Sequence, residues 1–72
     1  MRQYKNKAGN TGIHAYKIGP NYIQIQFYGS PRIYTYSYRK AGKVHVEQMK
    51  KLALSGNGLN RYLNAHTKDL FD

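Results

Sequence analysis

Two runs of strict apolar–polar alternation lie next to each other between Tyr22 and Tyr38. In the first, Ile23, Ile25 and Phe27 alternate with Tyr22, Gln24, Gln26 and Tyr28. In the second, Tyr34, Tyr36 and Tyr38 alternate with Ile33, Thr35 and Ser37. Successive side chains of a strand point to opposite faces, and β-branched and aromatic residues suit a pleated surface, so both runs predict strands. Gly29-Ser30-Pro31 between them has turn chemistry, and the pair reads as a β-hairpin.

The loop length decides which face the tyrosines share. A three-residue or five-residue loop puts Tyr34, Tyr36 and Tyr38 on the face of the glutamines, with Tyr22 and Tyr28. A four-residue loop, Gly29 to Arg32, moves them to the face of Ile23, Ile25 and Phe27. One residue of slip reverses every side chain. Pro31 cannot reach the positive φ that ends a three-residue loop, so turn chemistry leans to four, with the alternatives open.

The rest of the chain reads around this hairpin. Residues 1–10 are polar and basic, without periodicity, and are expected to form a flexible arm before a single domain over residues 11–72. Ile13 to Ile18 alternate more weakly, with Ile13, Ala15 and Lys17 on one side and His14, Tyr16 and Ile18 on the other. Gly19-Pro20 ends this strand, giving a three-stranded antiparallel meander. After Tyr38 the spacing becomes helical. Val46, Met49, Leu52 and Ala53 form one stripe, and Ser55-Gly56 stops the helix. Asn57 is placed to cap a second short helix in which Leu59, Tyr62, Leu63, His66 and Leu70 share a face. Asp69 to Asp72 are expected to fray. The fold class is α+β: three strands followed by two short helices packed on one sheet face.

Composition narrows the function. Twelve Lys and Arg stand against three acids, a formal net charge of +9 in 72 residues. Such an excess attracts polyanions whatever the fold. With no cysteine there is neither a disulfide nor a thiolate metal site, and a core this small must draw on the eight tyrosines. A homodimer would help to close so small a sheet. No apolar run approaches the ~20 residues of a membrane span, and Met1-Arg2 is not followed by a hydrophobic signal core, so a soluble, cytoplasmic protein without membrane contact is expected.

Catalysis finds little footing. Glu47 lies mid-helix and Asp69 and Asp72 lie in the tail, leaving no carboxylate pair and no acidic cluster for magnesium. No serine sits in a nucleophile elbow, and Gly56-x-Gly58 follows a helix rather than the strand a phosphate loop needs. His14, His45 and His66 lack metal-ligand spacing, so no metal and no cofactor are expected. One enzymatic alternative needs neither metal nor carboxylate: a small ribonuclease using His45 or His66 with Tyr36 and Arg39.

The stronger constellation is aromatic and basic. Arg32, Tyr34, Tyr36, Tyr38, Arg39, Lys40 and Lys43 fall within twelve positions. Single-stranded nucleic acid is held by ring stacking and by cations along its phosphates, so these residues, with Arg61, form the candidate binding set. The competing reading keeps Tyr34 and Tyr36 in the core. The ordered set Ile23-x-Ile25-x-Phe27, Tyr34-Thr35-Tyr36, Ala53-x-Ser55, Gly56, Asn60 and Leu63 resembles the KTSC family, named after the C-terminal domain of certain lysyl-tRNA synthetases. The resemblance covers about residues 13–65. It implies the same meander-plus-helices architecture and points to RNA as the ligand; with the residues read above, the expected function is nucleic-acid binding, RNA before DNA, without catalysis. A protein-interaction or self-association module is the alternative from another class.

Overall fold

The computed structural model describes residues 1–7 and 12–72. Four strands, β1 (Arg2–Gln3), β2 (Ile13–Ile18), β3 (Tyr22–Phe27) and β4 (Ile33–Ser37), form an antiparallel sheet in chain order. Two helices follow, α1 (Lys43–Ser55) and α2 (Leu59–Tyr62), and α2 runs on into a π-helical turn, Leu63–Thr67. The α+β class is as read from the periodicity, but the sheet has four strands rather than three.

The additional strand comes from the segment expected to be an arm. Arg2 pairs with Tyr16 and Gln3 with Ala15, and the Tyr4 N–H donates to the His14 carbonyl at 3.0 Å. Tyr4 is 2% exposed, among the most deeply buried side chains, and its hydroxyl accepts the Leu59 N–H at 3.2 Å. That bond satisfies one of the free donors at the start of α2, the task expected of Asn57. The residue flanking α2 is Gly58, in a left-handed conformation and with no side chain of its own to cap the helix. Polar composition hid this role, because one aromatic ring anchored in the core outweighs several solvated neighbours. The arm's remainder, Ala8 to Asn10, lies outside the described residues.

The hairpin register places the tyrosine row. Tyr34 pairs with Ile25 and Tyr36 with Ile23, so these tyrosines share the aliphatic face. That is the face chosen by a four-residue loop, although the strands meet two residues away from the pairing such a loop would set. On β2, a bulge between Ile13 and Ala15 brings Ile13 opposite Phe27, while Tyr16 faces Ile25 and Ile18 faces Ile23. Strict alternation separates Ile13 from Tyr16 and Ile18. The extra residue of the bulge reunites them, and Ile13 becomes fully buried.

Against this face α1 lays Val46, Met49 and Ala53, with α2 and the π turn adding Leu59 and Leu63. Burying side chains of this size contributes about 1.5–3 kcal/mol each. Thr67 is fully buried, and its hydroxyl reaches the Met49 sulfur at 3.5 Å, tying the π turn to α1. Gly56 ends α1 with φ 76°, its N–H shared by the Leu52 and Ala53 carbonyls. Its missing side chain leaves room for Lys5, and the Lys7 N–H donates to its carbonyl at 2.7 Å.

The tail does not fray. The Asp72 N–H donates to the Thr35 carbonyl at 2.7 Å, and its carboxylate accepts from the Ser37 hydroxyl at 2.8 Å. Phe71 turns inward over Tyr34, with ring centroids 5.0 Å apart. Two apolar residues, Leu70 and Phe71, gain more by covering the sheet than by staying solvated.

Candidate nucleic-acid interface

The tyrosines expected to stack bases occupy three different environments. Tyr36 is sealed in the core at 3% exposure, and burial pushes its hydroxyl pKa above the usual range, with Tyr34 and Asp69 acting in the same direction. Tyr38 is half-buried and donates a short hydrogen bond to Glu47. That bond raises the Tyr38 pKa. Lys50 lies 2.8 Å from Glu47 and, with Tyr38, holds its carboxyl below the usual range. Tyr38 therefore belongs to a surface network. Tyr34 is half-buried too, and its edge lines a cleft of about 310 Å³ with Phe27, Tyr36, Leu63, Asn64, Lys68, Asp69 and Phe71.

The uncovered sheet face carries Gln24, Gln26, Ile33 and Thr35, with Tyr22 on the same side by alternation. The Gln24 amide donates to the Thr35 hydroxyl at 3.2 Å. An all-tyrosine platform is thus absent from this face. Tyr36 needs a dry site for its ring and finds it in the core with Val46, Met49, Ala53, Leu59 and Leu63 of the helical side.

The cations separate as well. Arg32 is exposed at the hairpin, its guanidinium 4.8 Å from the Tyr34 ring centre and 5.3 Å from that of Phe71. Arg39 and Lys40 on the connector and Lys43 at the start of α1 are exposed at the opposite end of β4. There Asp72 binds Ser37, and Glu47 interacts with Lys43. Arg61 is exposed on α2, away from both groups in the fold's order of elements.

A second cluster was not legible as such in the sequence. His45 of α1 and Tyr62 of α2 meet through a hydrogen bond of 2.7 Å between Nδ1 and Oη. His66 of the π turn lies against both, with its ring centre 5.9 Å from His45 and 4.6 Å from Tyr62. Its construction is simple. Leu59, Leu63 and Thr67 point into the core, which leaves Tyr62 and His66 directed along α1, where His45 waits one turn from the helix start. Gln48, Arg61, Tyr62 and His66 line a groove of about 380 Å³ between the helices. Sequence distance concealed the meeting of His45 and His66, although the i, i+4 spacing of Tyr62 and His66 was a usable signal.

The ribonuclease alternative changes accordingly. Tyr36 is buried against Phe71 and Arg39 stands on the connector, so neither joins a histidine. The two histidines instead join each other.

The groove and the Tyr34 cleft are continuous. Asn64, Lys68 and Asp69 line both the Tyr34 cleft and a neighbouring one of about 340 Å³, and Ala65 and His66 line that neighbour and the groove. A single track therefore winds around the π turn, from Arg32 and Tyr34 through Phe71, Lys68 and His66 to Tyr62 and Arg61. Among the described residues that line it, Asp69 is the one acid. Scans against protein-family models, curated proteins and solved structures return no match for this chain. Among the described residues no helix is long and apolar enough to cross a membrane, and no group of three His, Cys, Asp or Glu is placed to hold a metal.

Proposed function

We propose that the protein binds single-stranded nucleic acid, RNA in preference to DNA, along the track around the π turn. The observation that carries this reading is the alternation of accessible rings and cations on one continuous surface. Arg32 precedes Tyr34 and Phe71, Lys68 precedes His66 and Tyr62, and Arg61 closes the series. Rings with an open face take bases by stacking, while cations between them follow the phosphates. The preference for RNA rests on the resemblance to the KTSC family.

Of the residues expected from the sequence, Arg32, Tyr34 and Arg61 make the contacts. Arg39, Lys40 and Lys43 act at longer range, as part of a field that speeds encounter. Tyr36 and Tyr38 support the fold.

Fluorescence anisotropy of a labelled single-stranded RNA at about 50 and about 200 mM salt tests the reading. Neutralising three phosphates gives a log–log salt slope of about −2, and Arg61→Gln reduces it by about 0.7. No binding at low salt, or affinity indifferent to salt, removes the proposal. A competing reading is self-association through the uncovered sheet face, favoured by the exposure of Ile33 and Tyr28. Light scattering decides: a stable dimer that masks those side chains supports it.

A further inference from the structure

We propose that the cluster of His45, Tyr62 and His66, at the edge of the groove that Tyr62 and His66 line, cleaves the RNA bound there by imidazole acid–base catalysis, an inference that rests on the RNA-binding reading above. Acid–base chemistry on a phosphodiester needs a proton acceptor at the attacking oxygen, a proton donor at the leaving oxygen and a cation for the charge that builds between them. The three groups come from separate elements. His66 of the π turn and Arg61 of α2 line the groove with Gln48, and half-buried His45 of α1 reaches its edge through Tyr62 and His66.

The hydrogen bond between Tyr62 Oη and His45 Nδ1 fixes the first imidazole. With the proton on Nδ1 donated to the tyrosine oxygen, Nε2 keeps its lone pair and can act as the base. His66 is exposed and stands 5.9 Å from His45, centre to centre, with the rings inclined by 27°. Imidazole nitrogens donate and accept in the plane of the ring, so a phosphate meets the two inclined rings at their edges, through hydrogen bonds of about 2.6–3.2 Å. Lys68 and Asp69 flank His66 on its other side. Tyr62 acts as a positioning residue, because it holds His45 without meeting the reacting atoms.

The reaction balances within the strand. His45 Nε2 removes the proton of a ribose 2′-hydroxyl, and the oxygen attacks the adjacent phosphorus. A new P–O2′ bond forms as the P–O5′ bond breaks. The protonated His66 gives its proton to the departing 5′-oxygen, and Arg61 faces the charge on the phosphoryl oxygens. The products are a 2′,3′-cyclic phosphate end and a 5′-hydroxyl end. One proton passes from O2′ to O5′, and no oxidant, reductant or co-substrate is consumed.

The test uses two labelled oligonucleotides of one sequence, a ribo-oligonucleotide and its 2′-O-methyl counterpart, which lacks the attacking proton. The expected result is that both bind, that only the first is cut, and that mass spectrometry finds the cyclic phosphate. His45→Ala and His66→Ala each lower the cleavage rate by about 10²–10⁴-fold, with His66→Ala keeping its circular dichroism spectrum because the side chain is exposed. Tyr62→Phe lowers the rate less and displaces the pH–rate profile of cleavage, a response that a purely structural residue does not give. Both oligonucleotides bound and neither cut overturns this inference while leaving the binding reading in place. No binding of either overturns both. Cleavage that survives His45→Ala and His66→Ala, or that yields no cyclic phosphate, also overturns it.

Discussion

The tyrosine row of β4 and the histidine groove between α1 and α2 contain the same kind of material, flat rings beside cations, and the fold uses them oppositely. In β4 the rings are consecutive on one strand face, and that face is covered by Val46, Met49 and Ala53. In the groove, each ring comes from an element whose core side is already filled by Leu59, Leu63 and Thr67, so Tyr62 and His66 remain accessible. Ring density along a chain measures the apolar surface that a small protein needs to bury. Accessibility depends on which face another element has claimed.

The largest expected effect separates the two regions directly. Tyr36→Ala should cost about 3–5 kcal/mol of stability, the range for deleting a large buried ring, read by urea unfolding. His66→Ala should stay within about 0.5 kcal/mol, as surface changes do. Equal effects would erase the distinction between a core row and an open groove.

Binding should show the reverse order. Tyr62→Ala is expected to lose about 1–3 kcal/mol of RNA affinity by anisotropy, the worth of one stacked base. Tyr38→Phe, which loses only the bond to Glu47, should bind as the wild type does.

A smaller effect concerns the support of the groove. Tyr4→Phe leaves the Leu59 N–H without its acceptor, at a cost of about 1 kcal/mol, and hydrogen exchange in α2 should speed up more than in α1. Uniform acceleration across the molecule would show that the Tyr4 hydroxyl does no local capping.

The smallest effect is the pH response of the Tyr38–Glu47–Lys50 network. The Glu47 carboxyl has its pKa lowered, first by Lys50 and then by Tyr38, so its contribution is present above the ordinary carboxylate range. It is lost as pH falls through the lowered value. Tyr38 is shifted the other way, chiefly by its bond to Glu47, and contributes below the ordinary tyrosine value of about 10, fading as pH rises through the raised one. In thermal unfolding between about pH 3 and about pH 7, the gap between wild type and Glu47→Gln should narrow on the acid side. A gap independent of pH would mean that the network adds nothing to stability.

Much of the architecture could be read from alternation and spacing. The β3–β4 hairpin, the stripe of α1 and the stop at Gly56 depend on neighbours a few residues apart, where periodicity is informative. The strand β1 was missed because two residues are too few to alternate, and its anchor, Tyr4, acts on Leu59 from 55 positions away. Phe71 was missed because a short tail carries no period, though Leu70 and Phe71 together were too apolar to remain in water. Of the candidate site, Arg32, Tyr34 and Arg61 were legible as single residues. Their partners Phe71, Lys68, His66 and Tyr62 were not.

Local pattern thus determined the class of the fold and its basic character, while turn chemistry leaned to the face the tyrosines share with the isoleucines without setting the register. Packing alone decided that Tyr36 is sealed, that Phe71 of the tail packs edge-on against Tyr34 and that His45 meets Tyr62 and His66. The reason is physical. Strand and helix periods arise from backbone geometry between near neighbours, whereas a site is made where burial forces distant elements together, and that outcome depends on every apolar face in the molecule at once.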